Sequence, residues 1–291
     1  MRFTLVLFKI TALCLALIYA PAGFSAQQND TIKMGVITLA SPAKTFRQWR
    51  LFAEYLGAKL DRKVEIVVPK GFKKIKKSVE NKSLDIFFIN SYIFYRLKQQ
   101  GQAKALVQMS NIDDSVFSRS VLFVRSDSGI EKLKELKGEK VAFVSPVGAG
   151  GYLAPRASFY KAGIKTKTQT DEEFTLNLTS SLHKVLLGDV KVGTMCSINY
   201  KLMSQRMNIG ELKVISESEK YPEALFGART DLPEDLKKDI AKIMIEMHED
   251  EEGKKILSPL KALKIKKFVA YDEGIEQYTQ SLIKEGEFII K

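Results

Sequence analysis

The stretch Val141–Pro155, VAFVSPVGAGGYLAP, decides how this chain is read. Val141, Ala142, Phe143 and Val144 favour a buried strand, and Ser145-Pro146 ends it. A glycine-rich turn (Gly148, Ala149, Gly150, Gly151) then leads into an amphipathic run through Phe159 and Tyr160. A strand that ends in glycines at the start of a helix directs several free backbone N–H groups at one point. The helix dipole adds partial positive charge there. The expected product is a cradle for an anion or a carboxylate. A tight corner that binds nothing has the same spelling, so the rest of the chain has to decide.

Outward from that stretch, strand and helix patterns alternate. Strands are expected at Ile32–Thr38, Val64–Val68 and Leu84–Ile89. Helices follow them at Lys44–Leu60, Gly71–Glu80 and from Ser91 to about Gln100. Ser120–Val124 runs into the polar turn Arg125–Gly129, a crossing point into a second alternating unit. That unit has a helix at Ile130–Leu136, the strand Val141–Val144 and the helix from Gly150. Beyond a polar stretch come a helix at Thr179–Leu187, a strand near Val192–Met195, a helix at Asn199–Met207 and a strand at Leu212–Ile215. Leu225–Ala228 reads as the return crossing. Pro233–Glu249 is a helix whose Leu236, Ile240, Ile243, Met244 and Met247 form one apolar stripe, and two helices near Glu251–Leu257 and Glu273–Lys284 close the chain. The pattern implies two α/β lobes with helix-covered, mostly parallel sheets: one discontinuous (30–124 plus 221–291), one inserted (125–220). Ligands of such folds bind at the carboxyl ends of strands, in the crevice between halves. The glycine turn faces that crevice, opposite Thr38–Ser41, Pro69–Phe72 and Asn90-Ser91.

The ends and the composition bound the function. Arg2 and Lys9, the apolar run Ile10–Ala20 and the small residues Ala20, Ala22, Ser25 and Ala26 follow the order of a cleaved export leader over 1–26. Lys9 interrupts the only candidate for a membrane span. Cleavage after Ala22 or Ala26 leaves Cys196 as the sole cysteine, so no internal disulfide is available. The formal charge of +12 resides largely in lysine runs such as Lys73-Lys74, Lys76-Lys77 and Lys264-Lys266-Lys267. Arginine and aromatics are not interleaved there, which reads as a solvated lysine face and argues against a nucleic-acid partner. His183 and His248 are the only histidines; His183 is read as structural and His248 as part of a solvated acidic helix end. No metal site, cofactor motif or catalytic set is expected.

The order of motifs then becomes recognisable. An MGV first strand, the helix carrying Trp49 and Tyr55-Leu56, and LDIFFIN before a helix come first. SVLFVRSDSGI crossing into KLKELKG, VAFVSPVGAGGYLAP, and the tail DLPEDLKKDIAKIM with DEEGKKIL follow. Nearly end to end, the mature chain resembles the substrate-binding component of phosphate, phosphite and phosphonate ABC importers. The resemblance implies a type II-like periplasmic-binding fold of two lobes joined by two crossing strands. It also implies a periplasmic monomer that captures a small anionic or polar ligand for a membrane permease. In that family the second-lobe turn usually reads Ser-Pro-Ser-Ser-Thr-Ser-Gly; here Val147, Gly148, Ala149 and Gly150 stand in place of the four hydroxyl residues. The family's histidine falls near Leu178, its first-lobe aromatic on Phe72, and its Gly-Pro on Asn90-Ser91. The expected ligand contacts are therefore Ser41, Phe72, Asn90 and Ser91 on one side. On the other are Gly148, Ala149, Gly150, Gly151 and Tyr152, with Ser145 and Ser120 as further donors. A bulky residue at Gly150 is expected to block approach to the N–H groups. The same fold also serves ligand sensors for membrane-bound signalling partners. An enzyme using Cys196 is the remaining alternative, although no Ser/His/Asp set assembles around it.

Overall fold

The computed structural model describes residues 31–37, 41–69 and 72–286. The expected export leader lies outside them, as do residues 38–40 and 70–71 and the side chains of Phe72 and Lys73. The first half of the chain runs β1 (Ile32–Val36), α1 (Pro42–Leu60), β2 (Val64–Val67), α2 (Phe72–Glu80), β3 (Ile86–Ile89), α3 (Ser91–Gln99), β4 (Ala103–Asn111) and β5 (Phe117–Ser118). Then come β6 (Ser120–Arg125), β7 (Lys140–Phe143), a π-helical turn (Ala149–Leu153), α4 (Ala154–Lys161), α5 (Thr166–Gln169), β8 (Asp171–Phe174), α6 (Leu178–Leu186), β9 (Val192–Cys196), α7 (Ser197–Ser204) and β10 (Leu212–Glu217). The chain ends with β11 (Tyr221–Pro222), β12 (Leu225–Arg229), α8 (Glu234–Glu246), α9 (Glu251–Leu260), β13 (Ile265–Ala270) and α10 (Glu276–Glu285).

The strands form a six-stranded sheet, β13-β4-β12-β3-β1-β2, and a five-stranded sheet, β10-β6-β9-β7-β8, with a small β5-β11 ribbon. Both are mixed, where the alternation suggests mostly parallel sheets. β1, β2 and β3 run parallel, but β12 enters antiparallel to β3 and β4, and β13 is antiparallel to β4. In the second sheet β7 is parallel to β8 and β9, while β6 is antiparallel to β9 and β10. The segments that carry the chain between sheets arrive from the opposite end, which reverses their sense. Ser120–Arg125, at the end of the first expected lobe, pairs with β9 and β10 and so lies in the second sheet. The stretch expected as a helix at Ile130–Leu136 is reduced to a 3-10 turn at Leu133–Leu136.

Side-chain caps fix where the helices start: Ser41 Oγ accepts from Lys44 N–H on α1, and Asn90 and Asn177 do the same for α3 and α6. One face of the first sheet packs on α1, α8 and α9 through a close aromatic group. Trp49, Phe52, Phe88, Phe226 and Phe268 each have another ring centroid of the group at 4.9–5.5 Å. The other face takes Ile75, Leu84, Phe87, Ile93, Phe94 and Leu97. The second sheet packs on α6 and α7 through Leu182, Val185 and Tyr200, and on α4 through Phe159. A further cluster joins the two: Leu282 and Ile283 of α10 pack with Tyr92 of α3, Ala154 and Ala157 of α4, and Tyr221.

Candidate functional site

The carboxyl ends of β1 and β3 face those of β7 and β9, and between them lies a cavity of about 210 Å³. Ile37, Phe88, Asn90 and Ile93 line it from the first sheet. Val144, Ser145, Val147 to Gly151, Leu178, Cys196 and Asn199 line it from the second. Tyr221, Glu223 and Lys264 close it at the back. Asn90 Nδ2 donates to the carbonyl of Val147 at 3.1 Å, a direct bond across the cavity mouth.

The glycine turn owes its shape to how its carbonyls are tied. Ser120 Oγ donates to the Gly150 carbonyl at 2.6 Å, while Thr194 Oγ1 and the Val144 N–H both donate to that of Gly151 at 3.1 Å. The Gly148 N–H donates to the Ser145 carbonyl at 3.0 Å, and the Leu153 N–H to that of Gly148 at 3.0 Å. With the carbonyls anchored away from the cavity, the N–H groups of Ala149, Gly150 and Gly151 have no acceptor among the described residues. They are the first donors of a helix, where partial positive charge collects.

Two of these glycines are required by close approach. A Cβ on Gly151 would lie 2.7 Å from that of Val144, and one on Gly150 would lie 2.0 Å from Tyr221 Oη and 2.7 Å from Tyr221 Cζ. The neighbour that a larger residue at Gly150 meets first is therefore a tyrosine of this chain, which corrects the expectation of a ligand there. Tyr221 is 3% exposed, and its hydroxyl sits beside Cys196 and Ser120 with no well-formed hydrogen bond to either. Burial, with the nearby Cys196 and Glu223, pushes that phenol well above its ordinary value, so it stays protonated and can donate.

Behind Tyr221 is a buried polar network that the sequence reading misses. Glu223, 2% exposed, accepts from Ser118 Oγ at 2.6 Å and Asn111 Nδ2 at 3.2 Å through one oxygen, and from Lys264 Nζ at 2.5 Å through the other. Lys264 Nζ also reaches the Cys196 sulfur at 3.3 Å. Burial alone would lower this lysine, but Cys196 and Glu223 outweigh it and hold the ammonium above the usual lysine range. Lys264 belongs to a run that looks solvated. Its own backbone turns left-handed (φ 62°) at the entry to β13, which separates it from Lys266 and Lys267. The available signal was Glu223, a lone acid inside YPEALF.

Of the expected contacts, Asn90, Ser145, Gly148, Ala149, Gly150 and Gly151 line this one cavity. The others do not. Ser41 is exposed and caps α1. Ser91 is buried and donates to the Pro222 carbonyl at 2.7 Å. Ser120 is fully buried and holds Gly150. Tyr152 points behind the turn, where its hydroxyl meets Arg156 at 2.9 Å and Glu172 at 3.4 Å. In each case a hydroxyl near a strand or helix end satisfies local backbone or charge before any ligand can use it. Phe72 opens α2, with its side chain outside the described atoms. His183 is exposed on α6, rather than part of the core, and His248 Nδ1 contacts the Ile245 carbonyl at 2.7 Å.

Residues 34–274 match the family model described as "ABC transporter, phosphonate, periplasmic substrate-binding protein". Among solved structures, the chain is similar to a Xanthomonas citri protein bound to chloride ion, with TM-score 0.78 and 16% identity over 88% of this chain and 97% of that one. It is similar to PhnD1 from Prochlorococcus marinus in complex with methylphosphonate (TM-score 0.77, 18% identity, 90% and 100% covered). A binding protein component of an ABC phosphonate transporter from Pseudomonas aeruginosa gives TM-score 0.75 and 19% identity, with 88% and 86% covered. At these identities the likeness carries the fold, a two-lobed α/β periplasmic-binding architecture.

Proposed function

Because the chain belongs to the family of periplasmic substrate-binding proteins of phosphonate-type ABC transporters, we propose that it captures a small acid in the cavity between its sheets and delivers it to a membrane permease. The observation that carries this reading is the convergence of unpartnered donors on one cavity. These are the N–H groups of Ala149, Gly150 and Gly151, and in the same lining the Lys264 ammonium, already bonded to Glu223, adds a charged donor. Such donors stabilise a bound oxyanion without moving, since their dipoles are already aligned. Asn90 serves as the latch between lobes through Val147. The lobes hinge about the β5-β11 ribbon, roughly 31–119 with 221–291 against 120–220, the first boundary set ahead of Ser120 by the pairing of β6. The chain acts as a monomer after export and removal of the 1–26 leader. Its mechanism is binding and closure without chemistry.

Native mass spectrometry of the mature protein, followed by thermal-shift measurements with small acids, tests the reading. A retained acid, or an acid that raises the melting temperature by several degrees, is expected. Absence of both for every acid tried refutes it.

A further inference from the structure

The cavity also carries a preference for ligand charge and shape, and this inference rests on the capture reading above. Among its described lining residues the formal charges are Lys264 and Glu223, already bonded to each other. Glu223 is 2% exposed and its oxygens are occupied by Ser118, Asn111 and Lys264. The Lys264 side chain is 15% exposed. Its ammonium has three N–H donors; one goes to Glu223 and one toward the Cys196 sulfur, which leaves a third for the cavity. The lysine end of the pair is thus open and the glutamate end is closed. Lys264 and the turn are also close together: the Gly150 Cβ position is 3.4 Å from Cys196 Cβ, and the Cys196 sulfur is 3.3 Å from Lys264 Nζ.

Most of the remaining side chains in the lining are apolar, among them Ile37, Phe88, Ile93, Val144, Val147 and Leu178, alongside the polar Asn90, Ser145 and Asn199. The volume of about 210 Å³ is more than the smallest oxyanions fill. Among the described lining residues, a second negative charge on the ligand would find no second cation. Only the partial charge of a helix start remains, about half a unit, against a desolvation penalty of several kcal/mol per buried ion. We infer that the cavity selects a singly charged organic acid, a carboxylate or sulfonate bearing an apolar body. Its head lies between Lys264 and the Gly150 N–H, and its body along the Ile93 and Val147 wall.

The test uses the mature chain and calorimetry in mildly alkaline buffer, where phosphate and methylphosphonate are dianions. The probes are hexanoate, hexane-1-sulfonate, hexan-1-ol, methylphosphonate and inorganic phosphate. Hexanoate or hexane-1-sulfonate is expected to bind at least tenfold more tightly than methylphosphonate, phosphate and the alcohol. The stronger of the two acids sets whether the head is planar or tetrahedral. The paired variant Lys264→Met with Glu223→Gln, which leaves no orphaned charge, is expected to weaken that acid at least tenfold at unchanged fold by circular dichroism. Tighter binding of methylphosphonate or phosphate would overturn the preference and leave capture between lobes intact. Equal binding of hexan-1-ol, or an unchanged affinity in the paired variant, would remove the acid head. Binding of no probe, with no retained molecule, would remove both readings.

Discussion

Replacing Gly150 by alanine should cost stability through Tyr221, and the size of the effect follows from the contact. The new methyl carbon would sit 2.0 Å from Tyr221 Oη and 2.7 Å from Cζ, where ordinary contact begins near 3.4 Å. The ring must therefore shift by more than about 1 Å, in a core that resists overpacking. It has little room, packed among Tyr92, Ala154, Leu282 and Ile283. Overpacking of this kind costs about 1–3 kcal/mol. At about 2–4 °C per kcal/mol for a chain of this size, the melting temperature should fall by roughly 2–12 °C. Gly148→Ala is the control, since its Cβ would meet nothing nearer than 3.4 Å and its φ of −83° suits alanine. Lower entropy of the unfolded chain there should leave stability unchanged or raised by up to about 1 kcal/mol. Urea denaturation followed by circular dichroism reads both variants. In a Tyr221→Leu background the Gly150→Ala penalty should shrink below about 1 kcal/mol, because the colliding atoms are gone. An equal penalty in both backgrounds, or equal losses at Gly148 and Gly150, would refute the contact as its cause.

Lys264→Met alone leaves Glu223 charged and buried and should cost about 3–5 kcal/mol, with much of the loss restored by adding Glu223→Gln; failure of the second change to rescue would show that the pair is not the unit. Asp231, bonded by Lys82 and Arg229, and Glu234, bonded by Lys104 and Lys237, are both held down to about 2. These carboxylates are depressed in the folded state, so their contribution is present above their unfolded values near 4 and is lost as pH falls from about 4 toward 2. Asp231→Asn with Glu234→Gln should therefore flatten the decline in melting temperature over that window, and an unaltered acid limb would contradict the assignment. Asn90→Ala removes both the α3 cap on the Ile93 N–H and the bond to Val147. It should cost about 1 kcal/mol as a cap and increase the radius of gyration in small-angle scattering, whereas an unchanged radius argues against a latch.

The elements most legible in the sequence are those whose burial follows a local period. Ile32–Val36 and Ile86–Ile89 are short apolar runs, and the stripe Trp49, Phe52, Ala53 and Leu56 repeats at helical spacing on α1. β4 was not legible, because AKALVQMSN mixes Gln108, Ser110 and Asn111 into a strand whose polar side chains are nonetheless buried. Gln108 donates to the carbonyls of Glu223 and Ala224, and Asn111 to Glu223, all more than a hundred positions away. β13 was hidden by its lysines: Lys266 pairs with Asp114 beside the strand, while Ile265 and Phe268 are fully buried. The candidate site divides along the same line. The glycine turn is spelled out in consecutive residues. The Lys264–Glu223–Ser118 network exists only once three distant segments meet, and each of those residues alone has the signature of surface.

Trp49, the single tryptophan of the chain, is 1% exposed and its ring lies 4.9 Å from that of Phe88, one of the cavity-lining residues. One aromatic layer thus separates the only strong native fluorophore from whatever occupies the cavity. Occupancy that tilts Phe88 changes the packing of the indole without wetting it, so the emission should alter in intensity with little shift in wavelength. Unfolding would move it to the red instead. The protein carries its own label-free readout, in which filling and melting have different colours.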